Sequence, residues 1–140
     1  MVSFNYSTTV YYKDIDQMGI VYYSRYFEYF EAARTELLAS IDLTVTDIEL
    51  LGVYLPVVHA ECNYIEGAKF EDNLIVKTVI RELPKLRLVI DYAVVKTNHT
   101  KELVTGQSTH VFINQKTNRP VRPPKQVIEK LKPFFNLNKE

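Results

Sequence analysis

The stretch that most constrains this chain runs from residue 24 to residue 41. Tyr26, Phe30, Ala33, Leu37 and Ile41 recur at intervals of three and four, the spacing of one helical face, so a helix is predicted from Ser24 to Ser40. Ser24 is placed to act as its N-cap. Phe27 stands where a full capping box needs Glu or Gln. Phe27, Tyr29, Ala32 and Leu38 widen the apolar stripe until only Glu28, Arg34 and Glu36 mark a polar strip. A surface helix keeps about half its circumference polar. This one is expected to be wrapped by something large, as the core of the fold.

The 140 residues suffice for one domain, 1–140, with a real core and no room for a second. Seventeen basic and seventeen acidic residues cancel, and no long run of either sign occurs. That is not the footprint of a nucleic-acid binder. The start, MVSFNYSTTV, has neither a basic leader nor a signal-length apolar run, and no segment reaches membrane-spanning length. One cysteine excludes an internal disulfide. The expectation is a cytoplasmic protein that binds neither membrane nor nucleic acid.

Before the helix, residues 4 to 12 alternate as a strand with Phe4, Tyr6, Thr8, Val10 and Tyr12 on one face. After it, Thr44 or Thr46 can cap a short helix that runs through Leu51 and stops at Gly52. Segments 54–65, 73–82, 86–96 and 102–113 are then rich in Val, Ile, Leu, Thr and Tyr. In the third, Leu86, Leu88, Ile90, Tyr92 and Val94 share a face, the mark of a half-buried antiparallel strand. The breaks at Gly67–Asp72, Leu83–Lys85 and Thr97–Lys101 have hairpin lengths, which predicts a four-stranded meander. A short helix near Lys125 to Leu131 closes the chain. The expected class is α+β, one sheet with a long helix against one face. The other face carries Val79, Val89, Ala93 and Val95, so homo-oligomerisation is expected, with edge-to-edge sheet pairing as one route.

Chemistry points to Asp14-Ile15-Asp16-Gln17-Met18-Gly19, immediately ahead of the apolar helix. Asp14 and Asp16 fit turn residues, and what raises a functional reading is the sequence downstream. Gly19 permits a tight backbone turn. The first amides of the helix have no internal partner and sit at its positive end. Amides so placed can polarise a carbonyl, and a nearby carboxylate can attack it or activate water. Together they make an acyl-transfer site.

At these residues the chain resembles a known family. Asp14-Ile15-Asp16-Gln17-Met18-Gly19-Ile20-Val21-Tyr22-Tyr23 is similar to the D-x-D-x-x-G-(I/V)-V-(Y/F) signature of 4-hydroxybenzoyl-CoA thioesterase-like acyl-CoA hydrolases. Phe30-Glu31-Ala32-Ala33-Arg34-Thr35-Glu36 resembles their F-E-x-A-R-x-E helix. Phe112-Ile113-Asn114 to Arg119-Pro120-Val121-Arg122-Pro123-Pro124 resembles their last strand and exit. The resemblance implies the hotdog fold, a long helix wrapped by a curved antiparallel sheet, and dimers or tetramers with interfacial sites. It implies Asp16 as the catalytic carboxylate and the Tyr23 backbone N–H as the carbonyl-polarising donor. Substrate contacts are implied at Gly19, Ile20, Val21, Tyr22 and Arg25. Basic residues such as Lys85, Arg87, Arg119 and Arg122 are implied to meet coenzyme A phosphates.

This chain departs from the pattern at Tyr23-Ser24-Arg25, where many relatives carry His-Ala-Asn or Pro-Asn. The missing His removes a possible acid–base partner, and in this the chain resembles the branch that relies on the aspartate alone. Arg25 is free to pair with Asp14 or Asp16, or to face a coenzyme A phosphate. Glu31 and Arg34 fit a helical i,i+3 pair, or a role in positioning the acidic loop. His59 and Cys62 fall on opposite faces of their strand, so they make no catalytic pair. His99 lies in a turn, and His110 is alone on its strand. No cluster has metal-ligand spacing, so no metal and no cofactor are expected. The resulting expectation is hydrolysis of an aromatic or short-chain acyl-CoA, with coenzyme A as part of the substrate. The alternatives are a non-catalytic acyl-CoA-binding domain, which gains if Arg25 neutralises Asp16, and a hotdog dehydratase.

Overall fold

In the computed structural model, which describes residues 1–135, a seven-stranded antiparallel sheet carries the long helix on one face. The elements in chain order are β1 (Val2–Thr9), α1 (Arg25–Ser40), α2 (Val45–Leu50), β2 (Val53–Tyr54), β3 (Val57–Tyr64), β4 (Asn73–Ile80), β5 (Arg87–Lys96), β6 (Glu102–Asn114), β7 (Pro120–Val121) and α3 (Lys125–Leu131). The class is α+β, as expected.

The alternation that predicts each strand also sets its buried face. Leu74, Val76, Thr78 and Ile80 of β4 point inward with Leu88, Ile90, Tyr92 and Val94 of β5. Tyr6, Val76, Val94 and Val104 form one row across four strands, and Phe4, Thr78, Tyr92 and Gly106 form the next. Against these rows α1 lays Tyr26, Tyr29, Phe30, Ala33, Leu37 and Leu38, all buried. Phe30 stacks on Tyr92 with ring centroids 4.2 Å apart and planes 7° apart. A Cβ on Gly106 would come within 2.4 Å of the Phe30 ring and 2.8 Å of the Glu61 carbonyl oxygen. The missing side chain is what lets the helix rest this close to the sheet.

The strand order corrects the expected meander. The sheet runs β1-β4-β5-β6, and β3 joins the far side of β6 instead of pairing with β4. Residues 65–72 are therefore a crossover. Their backbone groups go elsewhere: Ala68 accepts from the Val21 N–H at 2.9 Å, Lys69 bridges to Ile20, and Val10 exchanges bonds with Glu71 and Asp72. A hairpin would have used those groups locally.

Smaller corrections follow from the same packing. Ser24 precedes the helix but has helical φ/ψ, and its side chain caps nothing. Tyr12 begins a short 3-10 turn and is exposed, so the first strand ends at Thr9. Leu86 is exposed just ahead of β5. On the outer face Val79 and Ala93 are half-buried beside Asp91, Arg81 and Gln107, and Val89 is exposed. Val95 is buried at a bulge. Thr44 does cap α2, in a reciprocal box with Asp47, and Gly52 ends that turn at φ +90°. No helix among the described residues is long and apolar enough to cross a membrane.

Candidate active site

The loop before α1 is a tight, hydrogen-bonded hairpin. Ile15 bridges to Val21, the Asp16 N–H donates to Ile20 O at 2.8 Å, and the Gly19 N–H donates to Asp16 O at 3.0 Å. Gly19 makes the reversal at φ +82°, a conformation that favours glycine. Gly67 lets the crossover approach, since a Cβ there would lie 2.9 Å from Ile20.

The two aspartates have separate jobs. Asp14 is 1% exposed, and its carboxylate takes the Tyr11 N–H at 2.9 Å and the Lys13 ammonium at 3.0 Å. Burial pushes its pKa up, but the Tyr11 N–H and the Lys13 charge outweigh this and hold it below the usual value. Its backbone carbonyl anchors the Tyr22 N–H at 2.8 Å. Asp14 is the turn residue. Asp16 is half-exposed; its Oδ1 takes the Met18 N–H at 2.8 Å and the Ile20 N–H at 3.4 Å. Among the described residues Oδ2 has no donor.

The amide of Tyr23 is aimed by its neighbours. The Tyr22 carbonyl accepts from the Arg25 N–H at 2.9 Å, at the start of α1. In a trans peptide the C=O and N–H point opposite ways, so the Tyr23 N–H faces away from the helix. It has no acceptor among the described residues. The Tyr64 hydroxyl donates to the Tyr23 carbonyl at 3.0 Å and secures the next peptide plane. Asp16, Ile20, Val21, Tyr22 and Tyr23 line one pocket of roughly 290 Å³, with Tyr26, Tyr64 and Gly67 among its other walls. Tyr64 and Gly67 lie over 40 residues downstream, and nothing local in the sequence marks them.

Arg25 does not line this pocket. Its guanidinium binds both oxygens of Glu28 at 3.0 and 3.1 Å and the Lys13 carbonyl at 3.2 Å, with Asp14 4.0 Å away. Asp16 keeps its charge unpaired by Arg25. Lys85, Arg87, Arg119 and Arg122 are exposed and have no ion-pair partner among the described residues. Strand pairing brings the stretches that carry two of them close: Arg87 pairs with Val111, and Val121, the residue before Arg122, pairs with the adjacent Phe112.

Glu31 and Arg34 form no pair among the described residues, against expectation; Glu31 is exposed, while Arg34 turns towards Tyr92 and His110. His59 meets Glu61 at 3.1 Å on the outer face, away from Cys62. No group of three or more His, Cys, Asp or Glu among the described residues could hold a metal ion.

Residues 10–131 match the family model of the thioesterase-like superfamily. The acyl-CoA thioesterase YbgC of Haemophilus influenzae is 30% identical over 125 residues, 89% of this chain and 90% of that protein. The 1,4-dihydroxy-2-naphthoyl-CoA hydrolase of Synechocystis is 30% identical over 114 residues, 81% of this chain and 83% of that one. The crystal structure of a DHNA-CoA thioesterase from Staphylococcus aureus superposes with a TM-score of 0.88 at 24% identity, covering 99% of this chain and 95% of that one. That likeness gives the arrangement its name: the fold is the hotdog.

Proposed function

The chain belongs to the thioesterase-like superfamily, and on that premise we propose that it hydrolyses acyl-CoA thioesters at the Asp16 loop. One observation carries the reading: a carboxylate oxygen of Asp16 without a donor and a Tyr23 N–H without an acceptor, both among the described residues, belong to residues lining one pocket. The thioester carbonyl oxygen takes the Tyr23 N–H, at the positive end of α1. Asp16 either removes a proton from the attacking water or attacks the carbonyl carbon directly, in which case the C–S bond breaks, the thiolate leaves and takes a proton from solvent, and water cleaves the resulting mixed anhydride to free the acid and the carboxylate. In the water route the C–S bond breaks as the tetrahedral oxyanion collapses, and the proton returns to the departing thiolate.

The acyl group is aromatic or short. A pocket of roughly 290 Å³ walled by Tyr22, Tyr23, Tyr26 and Tyr64 suits a ring, and the Synechocystis relative is named for an aromatic thioester. Gly19, Ile20 and Val21 shape the loop against the substrate. Arg87 and Arg122, with Lys85 and Arg119 near them, meet the coenzyme A phosphates through forked or point charges. A second copy of the chain pairs edge to edge on one of the sheet's outer strands, β1 or β3, to give a dimer or a tetramer. What supports cleavage over binding alone is that Arg25 leaves Asp16 unneutralised.

The test is thiol release from a panel of benzoyl-, dihydroxynaphthoyl- and short aliphatic-CoA thioesters. Asp16→Asn should keep the fold and lower turnover by roughly 10²–10⁴. A folded Asp16→Asn protein with unchanged turnover would exclude this assignment. Binding without turnover in the wild type would move the function to an acyl-CoA-binding domain.

A further inference from the structure

A second cavity of about 240 Å³ lies between α1, α2 and the β5–β6 pair, and shares no residue with the Asp16 pocket. Leu38, Ile48, Leu55, Pro56 and Ile90 give it an apolar wall, and Arg34 and His110 are its inner polar groups. Arg34 stands nine residues beyond Arg25 on α1, about 13 Å along the axis. Its guanidinium has no carboxylate partner among the described residues, although Glu31 stands one turn away.

The polar groups behind Arg34 are already ordered. The Tyr92 hydroxyl lies 2.6 Å from Ser108 Oγ, which lies 2.8 Å from His110 Nε2. With Tyr92 donating to Ser108 and Ser108 to Nε2, the His110 proton sits on Nδ1. The nearest acceptor for that N–H is the Leu55 carbonyl, at the 3.5 Å limit of a hydrogen bond. The cavity therefore offers one charged fork and one poorly used neutral donor against an apolar wall. Glu49 is the one acidic lining group, and it sits exposed on α2.

We propose that this cavity binds a small organic carboxylate, with Arg34 and the His110 Nδ1–H gripping the anion and the apolar wall holding a body of about one ring. Arginine matches a carboxylate through two parallel hydrogen bonds. The volume lies below the roughly 300–1,000 Å³ of pockets for drug-sized ligands, which limits the occupant to a small acid. A phosphate ester fits less well, because the site has a single cation and a mostly apolar lining.

Benzoate is the probe, titrated at pH 7 by calorimetry and by amide chemical shifts on the full chain. Saturable binding is expected, with shifts at Leu38, Ile48 and Leu55. Arg34→Met keeps the stem and removes the fork, and should weaken binding by at least about tenfold. Benzyl alcohol should bind as weakly to the wild type. Val45→Trp adds bulk at the exposed end of the cavity lining and should weaken binding with Arg34 intact, so the idea stays testable if Arg34→Met fails to fold. Asp16→Asn should bind benzoate as the wild type does, whatever its turnover. Absence of saturable binding would overturn the proposal. So would undiminished affinity in Arg34→Met or Val45→Trp, or shifts confined to Tyr23 and Tyr64, which would place benzoate in the Asp16 pocket as a reaction product.

Discussion

The Tyr64 hydroxyl donates to the Tyr23 carbonyl oxygen at 3.0 Å, joining β3 to the residue that precedes α1's N-cap position. With Arg25 holding the Tyr22 carbonyl at 2.9 Å, two successive peptide planes are fixed around the Tyr23 N–H. On the proposed reading of the Tyr23 N–H, Tyr64 acts as a positioning residue. Tyr64→Phe keeps the ring packed on Tyr23 and Tyr26 but drops the bond. Kinetics on the best acyl-CoA should show kcat lowered about 2–10-fold, from roughly 0.5–1.5 kcal/mol, with KM nearly constant. A raised KM at constant kcat would instead mark Tyr64 as a simple binding wall.

Gly106 is the close-approach point between helix and sheet. Gly106→Ala puts a methyl into the Phe30 ring and against the Glu61 carbonyl, so helix and sheet must separate. Overpacking of this kind costs about 1–3 kcal/mol, and thermal unfolding should fall by several degrees. Phe30→Leu in the same background should recover part of the loss by making room for the methyl.

His110 gives stability a pH dependence of definite sign. Burial, then the Arg34 charge, lowers its pKa to about 4 from 6.5. The folded protein keeps it neutral where the unfolded chain binds a proton. Stability should therefore be complete above about pH 6.5 and decline as the pH falls towards 4. The size is on the order of 3 kcal/mol. Denaturant titrations at several pH values should show this slope, and His110→Gln should flatten it. Asp14, whose pKa is lowered from 3.8, acts in a separate window: its contribution is present above 3.8 and is lost at still lower pH.

Thr44 Oγ1 accepts the Asp47 N–H at 3.1 Å and Asp47 accepts the Thr44 N–H at 3.2 Å. Thr44→Ala should cost about 0.5–2 kcal/mol in urea unfolding. Because α2 forms one wall of the Arg34 cavity, benzoate binding should weaken along with it.

Much of this molecule is written locally. The three-and-four spacing of Tyr26, Phe30, Ala33 and Leu37 defines α1, and the alternation through Leu88, Ile90, Tyr92 and Val94 defines β5 and its inner face. The loop from Asp14 to Tyr23 is legible as a candidate site because its carboxylate and its helix-start amide lie within ten residues of each other. Thr44 and Gly52 also act where local rules put them.

Tertiary structure decided which neighbour each face meets. Periodicity says that a side is buried but not against what, so it does not choose between β4 and β6 as the partner of β3. The crossover won where residues 68–72 found backbone partners on Val10, Ile20 and Val21. The same step delivered Tyr64 and Gly67 to the Asp16 pocket. Arg25 found Glu28 one turn along its own helix, but its second acceptor, the Lys13 carbonyl twelve residues back, and the Tyr92 and His110 neighbours of Arg34 come within reach only in the assembled chain.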